Sequence, residues 1–461
     1  MKEQDHCTLG LCPATTENGT IVSIAVNPPH PLLQLTRALP WEALCEVMTR
    51  HWRRAGKNTD GGPGLPWDVA LYVPLVVLMV VKHLNSREME AYVAENVVAR
   101  VFIGRQDDPT PQIRDHANIA RAYAALGKDG VEESHALILR VARACGFADV
   151  SILSSDTTAQ ELPIGYPNEP GILRGWAQRC GRALAKLKTR AVVGVETALA
   201  QVQTILRTVK EHHLFAKSQA EKRQVLTRLL IEVGQLVVQT RLLVTGLGER
   251  RDRVTRNALT TLQTMHAVAT RLIPQIVQWL TTGVVAKGKI LHAGVTQARA
   301  LVRNKAGKKV EFGLPYLLSR RGGGYVFGTL IRGGVDEAKM PLQALAGYRA
   351  IFGAQATPAL VVDDRGGYAA STVRALATEG VKEIGIQPKG HGAWHVAEAV
   401  RETVRSERGK TEGIIGTLKT DKYGFNKPKE RLWQTLEMAG PRSILSFNLH
   451  KLMRDLVRAT K

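Results

Sequence analysis

Val150-Ser-Ile-Leu-Ser-Ser-Asp156 and Leu360-Val-Val-Asp-Asp364 are two short apolar runs that each end in aspartate. Short runs that are rich in β-branched and aliphatic side chains predict buried strands. In α/β sheets, functional side chains gather at the carboxyl ends of the strands. The two runs therefore predict both a sheet and a group of acidic side chains at its edge.

The residues around these runs predict the rest of an α/β core. Ser319-Arg-Arg-Gly-Gly-Gly324 separates two further strand-like segments, which indicates a hairpin. The remaining patterns predict strands at 309–318, 325–331, 359–362 and 381–387, and helices at 341–356, 370–379, 396–419 and 429–459. Without the helical segment between 171 and 304, the order from residue 149 is strand, hairpin, helix, strand, helix, strand, helix. This order predicts a mixed sheet flanked by helices.

The segment from 31 to 147 has helical patterning and follows a polar arm at residues 1–30. Asn85-Ser-Arg-Glu88 is a capping box, which predicts the start of a helix that runs towards Ile103. A later helix is predicted to end at Gly127, with a further helix after it. Two helices joined by a glycine-containing turn are typical of DNA-binding modules and equally of plain helical bundles. We predict an all-α N-terminal domain that binds DNA.

The formal net charge of +22 on 461 residues favours a polyanionic partner, either nucleic acid or an anionic membrane surface. The charge is concentrated, because residues 171–310 contain 25 Lys or Arg against 6 Asp or Glu. Solvated helix faces would usually carry more balancing glutamates. A basic helical block is typical of a surface that binds phosphates. We predict that residues 171–304 form a large all-α insertion domain that binds DNA.

Signals for a membrane or for secretion are weak in this sequence. The most apolar run, Val69–Val81, is shorter than the roughly 20 residues that a membrane span needs and contains Pro74, so it predicts a buried helix. No apolar segment follows the first residues, so we expect no secretory signal. Cys7 and Cys12 have the spacing of half a zinc site, but no second pair of ligands follows. We expect reduced thiols and a cytoplasmic protein.

Glu412 supplies a third acidic side chain. Arg408 precedes it by four residues and Lys419 follows it by seven, and these offsets return to one face of a helix. Two aspartates from strand ends and one glutamate from a helix are oxygen ligands of the kind that Mg²⁺ takes. For the aspartates, an Asx turn with the residues that follow is the alternative.

Several segments resemble the motifs of DDE transposases of bacterial insertion sequences, in particular those of a less-classified group. These segments are Ser154-Ser-Asp-Thr-Thr158, Asp363-Asp-Arg-Gly-Gly-Tyr368, Glu412-Gly-Ile-Ile-Gly-Thr-Leu-Lys419 and Tyr423-Gly-Phe-Asn426. Part of that family has the signature Tyr-x2-Arg-x3-Glu-x6-Lys. Arg408, Glu412 and Lys419 match its intervals, whereas Arg405 stands where the signature has tyrosine.

The resemblance implies an RNase H-like catalytic domain at residues 148–170 and 305–461, which the basic insertion interrupts. It implies Asp156, Asp364 and Glu412 as catalytic residues and as ligands of two Mg²⁺ ions, for which Mn²⁺ would substitute. Asp363 is the alternative to Asp364. The residues assigned to DNA contacts are Arg408, Lys419, Lys389, His391, Lys308 and Lys309.

The function implied by the resemblance is DNA transposition, in which the ends of an insertion sequence are cut at inverted repeats and joined to target DNA. The partners are then double-stranded DNA and a second copy of the chain, because two DNA ends must be held together. Two alternatives remain open. One is an RNase H-like, metal-dependent nuclease that cuts without joining, and the other is a domesticated DNA-binding protein without catalysis. We expect no membrane partner.

Overall fold

The structure is a computed structural model that describes residues 30–59, 67–105, 116–247, 252–305, 308–390, 392–394, 396–430 and 433–460. The predictions for the N-terminal arm, for Cys7 and Cys12 and for His391 lie outside these residues. The chain divides into two compact units. The first unit comprises Met1–Gln160 and Tyr316–Lys461, and the second unit comprises Glu161–Pro315.

Six helices form the N-terminal part of the first unit. They are α1 (Pro31–Ala38), α2 (Trp41–Arg54), α3 (Val69–Lys82), α4 (Ser86–Glu95), α5 (Val97–Phe102) and α6 (His116–Ala144). α3 contains the apolar run, and ten of its fourteen residues are buried, which confirms the predicted buried helix. The aliphatic side chains of these helices share one core with side chains of the sheet.

Local capping signals set the boundaries of these helices. Asn85 and Glu88 form the predicted capping box, in which each side chain accepts a hydrogen bond from the backbone amide of the other. The prediction that this helix runs to Ile103 is wrong, because Asn96 interrupts it. The Asn96 side chain accepts a hydrogen bond from the amide three residues later and caps α5. α6 is broken as predicted at Gly127, where φ is +62°.

The strands form a six-stranded mixed sheet. They are β1 (Ile152–Glu161), β2 (Arg299–Lys305), β3 (Lys308–Arg321), β4 (Val326–Leu330), β5 (Leu360–Val362) and β6 (Glu383–Gly385). The strand order is β2-β3-β1-β5-β6, and β4 also pairs with β3. β5 is parallel to β1 and β6, whereas β3 is antiparallel to β2 and β4. These pairings confirm a mixed sheet and the predicted hairpin.

Two predictions about the sheet are wrong. β1 continues to Glu161, so Asp156 lies inside the strand and not in a turn after it. β2 occupies residues for which a continuation of the helical insertion was predicted. Its pairing with β3, in which Val302 lies opposite Val310, explains the difference. Backbone hydrogen bonds to a partner strand stabilise an extended segment whose own sequence is rich in charged residues.

The second unit is mainly helical. Its helices are α7 (Glu169–Lys188), α8 (Val195–Leu214), α9 (Gln219–Leu247) and α10 (Arg253–Thr282). Each helix buries one face in a core that belongs to this unit. By length and composition α9 could cross a membrane, and its most apolar stretch is 22% buried. α3 and α4 together pass the same test but bend by 101°. Such helices are weak evidence for a span, because core helices of soluble proteins have the same composition.

Four helices complete the first unit. They are α11 (Met340–Phe352), α12 (Ala370–Thr378), α13 (Glu398–Leu418) and α14 (Trp433–Ala459). Asn448 of α14 joins helices and sheet. Its side chain accepts a hydrogen bond from the Val326 amide at 3.1 Å and donates to the Val326 carbonyl at 2.6 Å, and His135 of α6 lies 2.5 Å from it. All three residues are buried, so this network fixes β4 against the helices.

Candidate active site

Asp156 and Asp364 occupy equivalent positions on neighbouring parallel chain segments. The register pairs Ser154 of β1 with Val362 of β5, and each aspartate follows two residues later. Because side chains alternate along a strand, both aspartates belong to the face on which Ser154 and Val362 lie. Both are partly exposed. The Asp364 carboxylate also accepts a hydrogen bond from the Gly367 amide at 3.2 Å, as the alternative of a turn requires.

Asp363 belongs to the opposite face of the sheet. Its carboxylate accepts a hydrogen bond from the Ser155 hydroxyl at 2.5 Å, which extends the register of β1 and β5 by one residue. Burial raises the pKa of Asp363 to about 8, and the charges of Asp364 and Asp156 act in the same direction, against the Ser155 hydrogen bond. Without a bound metal ion, this pKa leaves Asp363 mostly protonated at neutral pH.

α13 lies on the face of the sheet that carries Asp156. The hydroxyls of Thr411 and Ser154 are 2.8 Å apart, and Val404 packs against Val362. The buried residues of the helix are Val404, Glu407, Thr411 and Leu418, a spacing that marks one face. The helix thus contacts β1 two residues before Asp156.

Glu412 is an exposed residue of α13 next to the buried Thr411. Successive helical residues are rotated by about 100°, so Glu412 and Ile414 lie on opposite flanks of Thr411. Ile414 points towards Gly324, in the hairpin connection that packs beside the residues leading into β1. Glu412 is exposed on the other flank, and its approach to Asp156 stays a prediction.

Glu407 is a second acidic residue of α13, and the sequence analysis missed it. It is 4% exposed and forms an ion pair with Arg320 of β3, which is 7% exposed. Lys410 donates a hydrogen bond to the same carboxylate at 2.7 Å. In the sequence Glu407 belongs to a run of charged residues, and only its spacing from Val404 and Thr411 indicates the buried face.

Two of the predicted DNA contacts that the structure describes lie in or directly after α13, and a third follows β6. Arg408 is partly exposed on α13, and Lys419 directly follows the last residue of that helix. Lys389 is exposed in the segment after β6. The remaining predicted contacts are not described: the side chains of Lys308 and Lys309, and the whole of His391.

The donors near β1 suit a hard divalent cation in their chemistry. Asp156 and Asp364 offer carboxylate oxygens, and Glu412 would add a third from α13, which is the ligand type that Mg²⁺ prefers. Within the described ranges, no three His, Cys, Asp or Glu side chains are already grouped as a metal site. The choice of these three residues as metal ligands therefore stays a prediction.

The second unit presents exposed basic side chains along α7. Arg174, Arg182 and Lys186 recur at multiples of four residues, which places them on one face of the helix. Cys180 and Leu184 of the same helix are buried in the core of the unit. A row of cations on a rigid helix offers contacts to successive phosphates of a nucleic acid.

Comparison with known proteins gives one match. Residues 22–125 match the family model of a transposase domain, described as Transposase domain (DUF772). The matched stretch includes α1 to α5 and the first part of α6. No curated protein and no solved structure matches the chain. The match supports a transposase family and with it a DNA-processing enzyme.

Proposed function

We propose that this protein is a DDE transposase with an RNase H-like core. It would cleave DNA at the terminal inverted repeats of an insertion sequence and join the 3′-hydroxyl ends to target DNA, using two divalent metal ions. The transposase match of residues 22–125 supports the class of protein. The arrangement of β1, β5 and α13 supports metal-dependent DNA cleavage, and this support is independent of that match.

The observation that carries the proposal is the contact between Thr411 and Ser154. It fixes α13 above the strand that carries Asp156, while the register of β1 and β5 sets Asp364 beside Asp156. Glu412 follows Thr411 on α13. This contact and the register support the proposal that Asp156, Asp364 and Glu412 act together.

Asp156, Asp364 and Glu412 would hold the metal ions. A bound pair of such ions activates the attacking oxygen and stabilises the leaving oxygen of the phosphodiester. The chain itself supplies a rigid sheet edge that orients the carboxylates. Asp363, which is buried on the opposite face of the sheet, donates no ligand in this proposal.

DNA would be held by cations on both units. Arg408 and Lys419 lie on either side of Glu412 along α13, where they could contact the phosphates that flank the scissile bond. Arginine's planar fork suits bidentate phosphate contact. The outer face of α13 carries Gly409, Gly413 and Gly416, and no atom lies within 4 Å of the position that a Cβ would take at any of them. This face is therefore open to a close approach by DNA.

Alanine substitutions test the site. Asp156→Ala, Asp364→Ala and Glu412→Ala should each abolish Mg²⁺-dependent cleavage of a DNA end in a gel assay, while DNA affinity stays largely intact because carboxylates do not attract phosphates. Asp363→Asn is the matched control and should keep activity, since asparagine resembles a protonated aspartate. If Asp364→Ala is active and Asp363→Asn is inactive, then Asp363 is the metal ligand and Asp364 is not. Full activity in all four variants would place the site elsewhere.

A strand-transfer assay with a pre-cut end separates the proposed reaction from its alternatives. Joining of the free 3′-hydroxyl to a target plasmid supports a transposase. Metal-dependent nicking without joining would indicate a nuclease of the same fold. Binding without either reaction would indicate a DNA-binding protein. Because two ends must be brought together, the active complex should contain at least two copies of the chain.

Charge reversal tests whether the exposed basic side chains of α7 bind DNA. Arg174→Glu, Arg182→Glu and Lys186→Glu in one chain should weaken DNA binding and make the slope of log affinity against log salt shallower by about 3, because each lost phosphate contact removes about one released counterion. Arg374→Glu, at an exposed position of α12, is the control and should leave the slope unchanged. An unchanged slope in the triple variant would remove α7 from the DNA-binding surface.

A further inference from the structure

Arg320 and Glu407 form a buried ion pair between β3 and α13. In many proteins, removing two charges from water costs more than their attraction returns, so stability alone seldom explains such a pair. Its directional contacts can instead select one arrangement of the two elements that it joins. Here the two elements are α13 and β3.

The buried residues of α13 differ between its middle and its ends. The buried apolar residues Val404 and Leu418 lie towards the two ends of the helix, whereas the buried residues in the middle are Glu407 and Thr411. Thr411 contacts a serine hydroxyl of β1, and Glu407 contacts an arginine of β3. Polar contacts to two strands therefore hold the turns of the helix that carry Glu412.

We infer that the Arg320–Glu407 pair, with Lys410, fixes the rotation of α13 about its axis and so directs Glu412 towards the two aspartates. The inference rests on the proposed function, in which Glu412 is a metal ligand. A side chain lies roughly 6 Å from the helix axis, so a rotation of about 10° moves its end group by roughly 1 Å. A displacement of that size near a reacting group can lower a rate about 100-fold. Glu407 is thus a positioning residue.

The helix would not hold this rotation by itself. Gly409 and Gly413 flank Lys410 and Glu412 and weaken the helix, because glycine has a low helix propensity. Among the described residues, nothing outside the helix lies within 4 Å of the Cβ position at either glycine. The inner face is therefore the source of the constraint, and its central contact is the ion pair.

Replacement of both charges by apolar side chains tests the inference. A single Glu407→Gln would leave a buried guanidinium unpaired and could unfold the protein, whereas Arg320→Met with Glu407→Leu keeps a similar volume and should keep the melting temperature. In this double variant we expect kcat for Mg²⁺-dependent cleavage to fall about 100-fold. We also expect a higher Mg²⁺ concentration for half-maximal activity, which a purely structural role would not produce. Wild-type kcat and Mg²⁺ dependence would overturn the inference.

The matched control removes an ion pair elsewhere in the first unit. Arg349 of α11 pairs with Glu379, the residue after α12. Arg349→Met with Glu379→Leu should leave both kcat and the Mg²⁺ dependence unchanged. A loss of activity equal to that of the Arg320 and Glu407 double variant would show a general effect of removing charge, and would overturn the inference.

A second measurement reports the position of α13 without catalysis. The full chain with Asp156→His and Glu412→His should bind Zn²⁺ about 10-fold more tightly by calorimetry than either single variant, because two imidazoles then share one ion. Adding Arg320→Met and Glu407→Leu should remove this gain. A gain that persists, or one that never appears in the first double variant, would overturn the inference. If the wild-type chain shows no metal-dependent cleavage, the proposed function fails, whereas the Zn²⁺ result still decides the positioning of α13.

Discussion

Asp363→Asn should remove a pH dependence from the stability of the first unit. Burial beside Ser155 raises the pKa of Asp363 from 3.8 to about 8. Between these values the folded chain keeps a proton that the unfolded chain releases, so the free energy of unfolding falls as the pH rises. Asparagine has nearly the same shape and cannot ionise, and the variant should therefore lack this fall.

The difference between wild type and Asp363→Asn from pH 6.5 to 8 isolates the effect. The pKa values of His135 and His450 are lowered to about 4, mainly by burial, so both side chains are neutral in the folded chain in this range. They act with the opposite sign near pH 6.5 and below, because the unfolded chain binds protons that the folded chain does not, but this contribution is the same in both proteins. Each pKa unit corresponds to ~1.4 kcal/mol, so Asp363 should lower the free energy of unfolding by at most ~2 kcal/mol across this window.

Hydrogen exchange at the amides of β1 and β5 measures this free energy within the full chain. Rates would be corrected for the pH dependence of intrinsic exchange and compared between wild type and Asp363→Asn in metal-free buffer. Asp421→Asn is the control, because Asp421 is exposed and is not among the residues that shift the pKa of Asp363. Equal slopes in wild type and Asp363→Asn would mean that Asp363 is ionised in the folded protein, and the assignment of Asp363 and Asp364 to opposite faces would lose its electrostatic support.

Three further outcomes are expected. The isolated second unit, residues 161–315, should bind duplex DNA with an affinity that falls steeply with salt, and the absence of any gel shift at low salt would assign its charge to solubility. Arg408→Ala and Lys419→Ala should impair binding of the DNA end, and excess Mg²⁺ should not restore activity; full rescue by Mg²⁺ with unchanged binding would instead indicate that they tune Glu412. Asn448→Ala should destabilise the first unit in urea by ~1–3 kcal/mol for each buried group left without a partner, and an unchanged unfolding midpoint would contradict this.

The core strands were predictable because their signals are local. Val150–Ser155 and Leu360–Val362 are short, β-branched and aliphatic, and the hairpin connection is rich in glycine. β2 was missed because its sequence, Arg299-Ala-Leu-Val-Arg-Asn-Lys305, has three charged residues among seven. Its extended form depends on pairing with β3, and the side-chain pattern of β2 alone does not record that pairing.

Motifs predict the candidate site residues, which stay a prediction, but they do not predict the contacts that hold α13. The order of Asp156, Asp364 and Glu412 follows from motifs, and the alternation of a strand separates Asp363 from Asp364 once β1 is known to continue past Asp156. Glu407 could not be identified in the same way. A glutamate within a charged run predicts an exposed side chain, and only the packed structure shows that its partner, an arginine of β3, lies beneath the helix.

The glycines of α13 lie on its outer face, opposite the buried residues of its inner face. Gly409, Gly413 and Gly416 each cost ~1 kcal/mol relative to alanine in a helix, yet nothing in the described protein lies within 4 Å of the Cβ that alanine would add. The packing of the protein therefore gives no reason for glycine at these positions, whereas a DNA backbone lying against the helix beside Glu412 would require it. Under the proposed function, α13 is held from its inner face. Glu407 and Thr411 are the buried residues of the turns that carry Glu412.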